Sequence, residues 1–180
     1  EPVTVRVMTF NLWHGGEAGG QPLEQSAAVI QAAKADIVGL QETHGRNGSG
    51  NQTKALAELL GWNYLEQPDK TSILTHFEIV RTLEDLGAEI ELPTGNRVLV
   101  FNVHYFHAPY QPYQLLDIPY ENGRFIKTAI DAVTEARNAR GGESDQLVAA
   151  IRRHWRRERP IFVTGDFNEP SHIDWTDNAA

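Results

Sequence analysis

Short apolar runs that end on polar side chains recur along the chain, and they set out most of its elements. Residues 3–10 (Val-Thr-Val-Arg-Val-Met-Thr-Phe) alternate and are rich in β-branched side chains, which predicts a strand. After a Gly-rich loop, Pro22 opens a helix with Leu23, Ala27 and Ile30 on its apolar stripe. Asp36 to Gln41 is short and almost wholly apolar, as a buried strand is. Residues 52–60 read as a helix stopped by Gly61. Five short strands then follow over 62–66, 71–75, 79–83, 88–92 and 97–105, the last two joined by a Pro93-Thr94-Gly95-Asn96 turn. The Pro- and Tyr-rich stretch 108–122 reads as irregular. A helix is expected from Gly123 to about Arg140, broken by Gly141-Gly142, with another over 143–158 carrying Leu147, Val148, Ile151 and Trp155 on one face. Pro160 to Gly165 is a further buried strand. Helices interspersed with strands, some in hairpins, predict an α/β (α+β) domain of two packed mixed sheets flanked by helices.

Composition narrows the classes. With 180 residues and 41% hydrophobic side chains, the chain reads as one globular domain over 1–180. No apolar run approaches the roughly 20 residues that cross a bilayer, so no membrane span is expected. There is no cysteine, which removes disulfides and thiolate metal sites. Asn47-Gly48-Ser49 and Asn51-Gln52-Thr53 match a glycosylation acceptor pattern and are read as loop chemistry. The net charge of -8 argues mildly against a grip on long duplex DNA. The chain begins at Glu1, compatible with a mature secreted or periplasmic protein and equally with a trimmed one; a cytoplasmic location stays open.

Chemistry gathers at the ends of the apolar strands. Asn11 follows the first, Glu42 the second; His104 ends the longest, and Asp166 and Asn168 follow the last. Hard oxygen donors at one sheet rim suit Mg²⁺ or Ca²⁺. Each residue alone reads as a cap or turn former; the argument rests on the set. Arg152, Arg153, Arg156, Arg157 and Arg159 read as a solvated helix face. His14-Gly15-Gly16 lacks the Lys and spacing of a phosphate loop.

Thr9-Phe10-Asn11, Gln41-Glu42, Asn102-Val103-His104 and Gly165-Asp166-Phe167-Asn168, in this order, resemble the successive motifs of the endonuclease/exonuclease/phosphatase (DNase I-like) superfamily. The resemblance implies a four-layer α/β/β/α sandwich and metal-dependent hydrolysis of phosphoesters, with a phosphodiesterase as the first expectation. A nuclease, or a non-catalytic module that binds phosphorylated ligands, is the alternative. It implies that Asn11 and Glu42 help hold the metal, Mg²⁺ first with Ca²⁺ or Mn²⁺ as alternatives. Asp166 orients and deprotonates the attacking water, Asn168 supports it, and His104 contacts the phosphate or assists the leaving group.

Three departures qualify the likeness. Family members usually carry Ser-Arg before an aromatic residue, where this chain has Thr75-His76-Phe77; His76 becomes a supporting candidate. The segment from His107 to Arg124 is an insertion whose His107 and Tyr110 are candidate substrate contacts, or else a loop packed by its own aromatics. The family ends on an Asp-His pair that has no counterpart here. His172 falls in the loop after the Gly-Asp-Phe-Asn motif and is a further substrate-facing candidate. The expected fold is therefore incomplete at its C-terminus, lacking its final strands, with a complementary C-terminal fragment of the same protein as the expected partner. The expected substrate is a small or lipid-like phosphoester more than a nucleic acid.

Overall fold

The computed structural model describes residues 3–46, 49–156 and 159–171. The chain divides into two compact units: the residues up to His104 together with Ala149–Asp166, and Tyr105–Val148 together with the residues from Phe167 on.

The first unit holds both sheets. In one, β1 (Val7–Asn11), β2 (Ile37–Gln41), β4 (Thr71–Thr75) and β3 (Asn63–Gln67) lie in the order β1-β2-β4-β3. In the other, β5 (Glu78–Leu83), β6 (Gly87–Glu91), β7 (Arg97–His104) and β8 (Ile161–Asp166) lie in chain order. Both are mixed: β1 pairs β2 in parallel and β7 pairs β8 in parallel, while the other pairings are antiparallel. Helices α1 (Leu23–Ala33) and α2 (Thr53–Leu60) pack Ala27, Ile30, Leu56 and Ala57 against Val38, Leu40 and Leu74 of the first sheet. The expected two-sheet sandwich with flanking helices is what forms.

Alternation along the strands divides the work between their faces. Ile37 and Ile73 meet Ala88, Ile90, Val98 and Val100 in the layer between the sheets. Further along the same faces that layer turns polar. Gln41 donates through Nε2 to Asn102 Oδ1 at 2.7 Å, Thr164 Oγ1 donates to the same oxygen at 3.0 Å, and Asn102 Nδ2 donates to the carbonyls of Leu40 at 2.8 Å and Ser72 at 3.0 Å. All of these side chains are buried, and no buried side-chain polar atom among the described residues lacks a partner. Gly39 lies beside this lock. A Cβ there would come within 2.5 Å of Asn102 Oδ1 and closer still to Thr164 Oγ1, so the hydrogen-bonded side chains occupy the space a larger residue needs.

The helical part of the sequence reading needs correction. α4 runs unbroken from Ala129 to His154, through Gly141 and Gly142. Two glycines cost about 1 kcal/mol each in a helix interior. Anchors on either side hold the helix together: Arg140 is buried before them, and Leu147 and Ala150 after them. Trp155 lies past the helix end and is 61% exposed, and Val148 is exposed too, so the expected apolar face is narrower. Inside the Pro- and Tyr-rich stretch a short helix, α3 (Gln111–Leu115), interrupts otherwise irregular chain. Arg153 and His154 both pair with Glu84, the latter at 3.0 Å, and Arg159 reaches Glu89 at 2.9 Å, so part of the arginine-rich segment is ion-paired and not simply solvated. Among the described residues no helix is long and apolar enough to cross a membrane.

Candidate active site

The carboxyl ends of β1, β2, β7 and β8 converge. Parallel pairing sets Asn11 opposite Gln41 and His104 opposite Asp166. Between the pairs, the Gly165 backbone N–H donates to Thr9 Oγ1 at 3.1 Å and draws β8 against β1. The period of two that sends Val98, Val100 and Asn102 between the sheets sends His104 the same way, and it does the same for Asp166 after Phe162 and Thr164.

Asn11 is the centre of the group. Its Nδ2 donates to Glu42 Oε1 at 3.0 Å and to Asp166 Oδ2 at 2.9 Å. Its Oδ1 accepts the Trp13 backbone N–H at 2.8 Å, which fixes the orientation of the amide. Two such bonds from one nitrogen place the carboxylate oxygens within about 6 Å of each other, where two negative charges repel. His104 Nε2 stands 4.0 Å from Asp166 Oδ2, beyond hydrogen-bond length, and its side chain is 18% exposed.

Left-handed backbone lies beside the carboxylates. Glu42 has φ 52°, a left-handed conformation uncommon for a residue with a Cβ. Trp13, His14, Gly15 and Gly16 all share the left-handed region. This winding turns the His14 backbone N–H onto Glu42 Oε2 at 3.1 Å and the Gly15 N–H onto the Glu42 carbonyl at 2.7 Å. The His14 ring then lies 4.0 Å from the Glu42 carboxylate. The sequence reading judged His14 only as part of a phosphate loop and missed it as a neighbour of Glu42. Its one signal was a Trp-His-Gly-Gly run directly after Asn11.

The donor set can be matched to a cation. Among the described residues there is no group of three or more His, Cys, Asp or Glu side chains arranged to hold a metal. The rim offers the Glu42 and Asp166 carboxylates, with the Asn11 amide nitrogen between them and its oxygen on the Trp13 N–H. Mg²⁺ suits such a set, because it is held by one or two carboxylates and keeps water and substrate phosphate oxygens for its remaining positions.

The other candidates are distributed differently. Because β4 runs antiparallel to β2, Thr75 pairs Ile37 and the following His76 falls at the far end of the sheet from Asn11. There its Nε2 lies 2.9 Å from Asp36 Oδ1, and its ring packs beside Trp62 and Phe77. His172 lies outside the described residues. Asn51 accepts the Thr53 N–H at 2.9 Å at the start of α2, a turn-forming role, while Asn47 also lies outside the described residues.

His107, Tyr110 and Asn168 belong to the second unit. His107 lines a cavity of about 500 Å³ with Phe106, Glu121 and Arg124. The rings pack edge to face on one another, Tyr110 on Tyr113 at 5.1 Å and Tyr113 on Tyr120 at 5.4 Å. The insertion is thus packed by its own aromatics and also forms a cavity. Asn168, itself at φ 48°, donates to the Tyr105 carbonyl at 2.8 Å. Burial pushes the Tyr105 hydroxyl up, against a hydrogen bond with Ser144.

Residues 8–180 match the model of a family described as "Endonuclease/Exonuclease/phosphatase family". The chain is 29% identical over 189 residues to an uncharacterised protein of Caenorhabditis elegans, an overlap of 96% of this chain and 56% of that protein. It resembles the crystal structure of an endonuclease/exonuclease/phosphatase family protein from Bacteroides thetaiotaomicron, with TM-score 0.53, 20% identity, and 93% and 65% of the two chains covered. An AP endonuclease from Archaeoglobus fulgidus matches with TM-score 0.54, 15% identity, and 95% and 60% covered. At these identities the structural likenesses carry the fold alone. The chain spans less than two thirds of the length of each of these relatives.

Proposed function

The chain belongs to the endonuclease/exonuclease/phosphatase family, whose members are phosphoester hydrolases that generally use divalent metals, and on that premise we propose that it is a metal-dependent phosphodiesterase. The observation that carries the reading is the Asn11 amide bound to both the Glu42 and the Asp166 carboxylate. A bound divalent cation supplies Lewis-acid neutralisation of the charge on the phosphoryl oxygens. Glu42 would hold it, with Asn11 joining once its amide presents the oxygen in place of the nitrogen, and Mg²⁺ is the ion such oxygens suit best.

The remaining work falls to the chain's own side chains. Asp166 accepts the proton of the attacking water, and the hydrogen bond from Asn11 orients its carboxylate. His104, on the same face of the neighbouring strand, donates a hydrogen bond to a phosphate oxygen or to the departing oxygen. Asn168, two residues after Asp166, holds the phosphate or the base in register. The net charge of -8 supports a small or lipid-like phosphodiester over long duplex DNA.

Hydrolysis of bis(p-nitrophenyl) phosphate with Mg²⁺ tests the proposal. Turnover is expected to be lost on chelation, and to fall about 10²- to 10⁴-fold in Asp166→Asn. Turnover indifferent to both treatments would overturn it.

A further inference from the structure

Within the second unit, one buried guanidinium joins two segments that are far apart in sequence. Arg140 is 3% exposed. Its Nη1 donates to the carbonyls of Phe106 at 3.1 Å and Pro109 at 2.9 Å, and its Nη2 donates to Gln111 Oε1. Its Nε donates to Glu169 Oε2 at 2.8 Å, and Nη2 reaches the same oxygen. The insertion and the Gly-Asp-Phe-Asn-Glu loop therefore meet on a single side chain.

Each side of this junction is itself ordered. On the insertion side, Gln111 Nε2 donates to Gln114 Oε1 at 3.1 Å, and Gln114 Nε2 donates to the Arg124 carbonyl at 2.8 Å. Gln111 and Gln114 are almost wholly buried. Such a fully bonded polar chain rigidifies what it crosses. On the loop side, Asn168 is held to the Tyr105 carbonyl, and the Phe167 ring meets Tyr105 edge to face at 5.3 Å. Asn168 occupies the left-handed region, which asparagine adopts more readily than most residues with a Cβ. The side chain of the next residue, Glu169, is 32% exposed and is anchored, among the described residues, by Arg140.

We propose that Arg140 is a positioning residue: through Glu169 it sets the loop that presents Asn168, and through Phe106, Pro109 and Gln111 it sets the insertion that carries His107 and Tyr110. The kinetic part of this proposal rests on the phosphodiesterase reading above; the structural tie does not. A planar fork with five donors suits the task, since it serves three acceptors on one side while holding a carboxylate on the other.

Two variants of the full-length protein test it. Glu169→Ala cuts only the loop arm at an exposed position, and Arg140→Met cuts both arms. In hydrogen–deuterium exchange, Glu169→Ala is expected to speed exchange across 165–171 and leave 106–111 protected, while Arg140→Met speeds both. On bis(p-nitrophenyl) phosphate with Mg²⁺, Glu169→Ala is expected to lower kcat about 10- to 100-fold, as sub-ångström misplacement near the chemistry does, with KM within about threefold. Its urea midpoint should fall, because the buried Arg140 guanidinium loses its carboxylate partner. If Arg140→Met does not fold, Glu169→Ala decides alone. Unchanged exchange at 165–171 in Glu169→Ala overturns the tie. Faster exchange there with an unchanged kcat overturns the positioning role. A wild-type protein without turnover sinks the phosphodiesterase reading and with it the kinetic role, while the exchange pattern still decides whether Arg140 ties the segments.

Discussion

Replacing Asn102 by Leu tests whether the polar layer behind the rim holds the two sheets in place. The substitution keeps the branched shape and the number of heavy atoms and removes every side-chain hydrogen bond that Asn102 makes. Four of those bonds are 3.0 Å or shorter: from Gln41, from Thr164, and to the carbonyls of Leu40 and Ser72. A fifth, to Gln67 Oε1, is 3.3 Å. Some partners keep other bonds: Gln41 retains the Gly39 carbonyl and Thr164 retains that of Phe101. At about 1 kcal/mol net per strong bond, the loss is about 4 kcal/mol. Leucine returns roughly 1 kcal/mol through its apolar surface, leaving about 3 kcal/mol of destabilisation. That is a large part of the 5–15 kcal/mol of a typical domain, so the native state survives but is weakened. With a urea dependence of about 2 kcal/mol/M, the midpoint should fall by about 1.5 M. A fall below about 0.3 M at unchanged slope would refute the argument that this lock joins the sheets.

Two further outcomes follow from other parts of the fold. Burial pushes the Glu89 carboxyl up, but the hydrogen bond from Arg81 and the charges of Arg159 and Arg81 outweigh it and hold the group below the usual carboxylate range. A carboxyl with a depressed folded-state pKa stabilises above its unfolded pKa and loses that contribution as pH falls through the folded value. Glu89→Gln should therefore cost about 1–2 kcal/mol at pH 7, a figure discounted because the three arginines are each more than a third exposed, and the gap should be smaller at about pH 3, where less of the carboxyl is ionised. Urea midpoints of both proteins at the two pH values check this, and a gap of constant size contradicts it. Gly142→Ala should raise the melting temperature, by the equivalent of about 0.5–1 kcal/mol, because an added Cβ meets nothing within 4 Å inside a continuous helix. A lower melting temperature would argue for a break at that position.

How far the sequence revealed this protein depended on whether the signal was local. β1, β2, β7 and β8 were legible because their apolar or β-branched runs end on polar residues, and those ends are where Asn11, Glu42, His104 and Asp166 meet. The sandwich followed from the same runs. His76 could not be placed from sequence, because whether a strand's end falls at the rim depends on its direction, and β4 runs opposite to β2. Gln41 and Asn102 stood in the motifs, yet their bond to each other spans 61 residues and has no local mark. Gly141-Gly142 misled for the opposite reason: the glycines carry a strong local signal for a break, and buried anchors on both sides override it. His14 was discounted because its approach to Glu42 depends on four consecutive left-handed residues, of which only two are glycine.

The central claim is that Asn11, Glu42 and Asp166 surround a divalent cation. Titration of the protein with Mn²⁺, followed by electron paramagnetic resonance of the free ion, tests it most directly. Saturable binding of one ion per chain is expected, weakened at least about tenfold in Glu42→Gln, which keeps the shape of the side chain and removes its charge. Mn²⁺ bound equally well by Glu42→Gln, or not bound by the wild-type protein, would contradict the account.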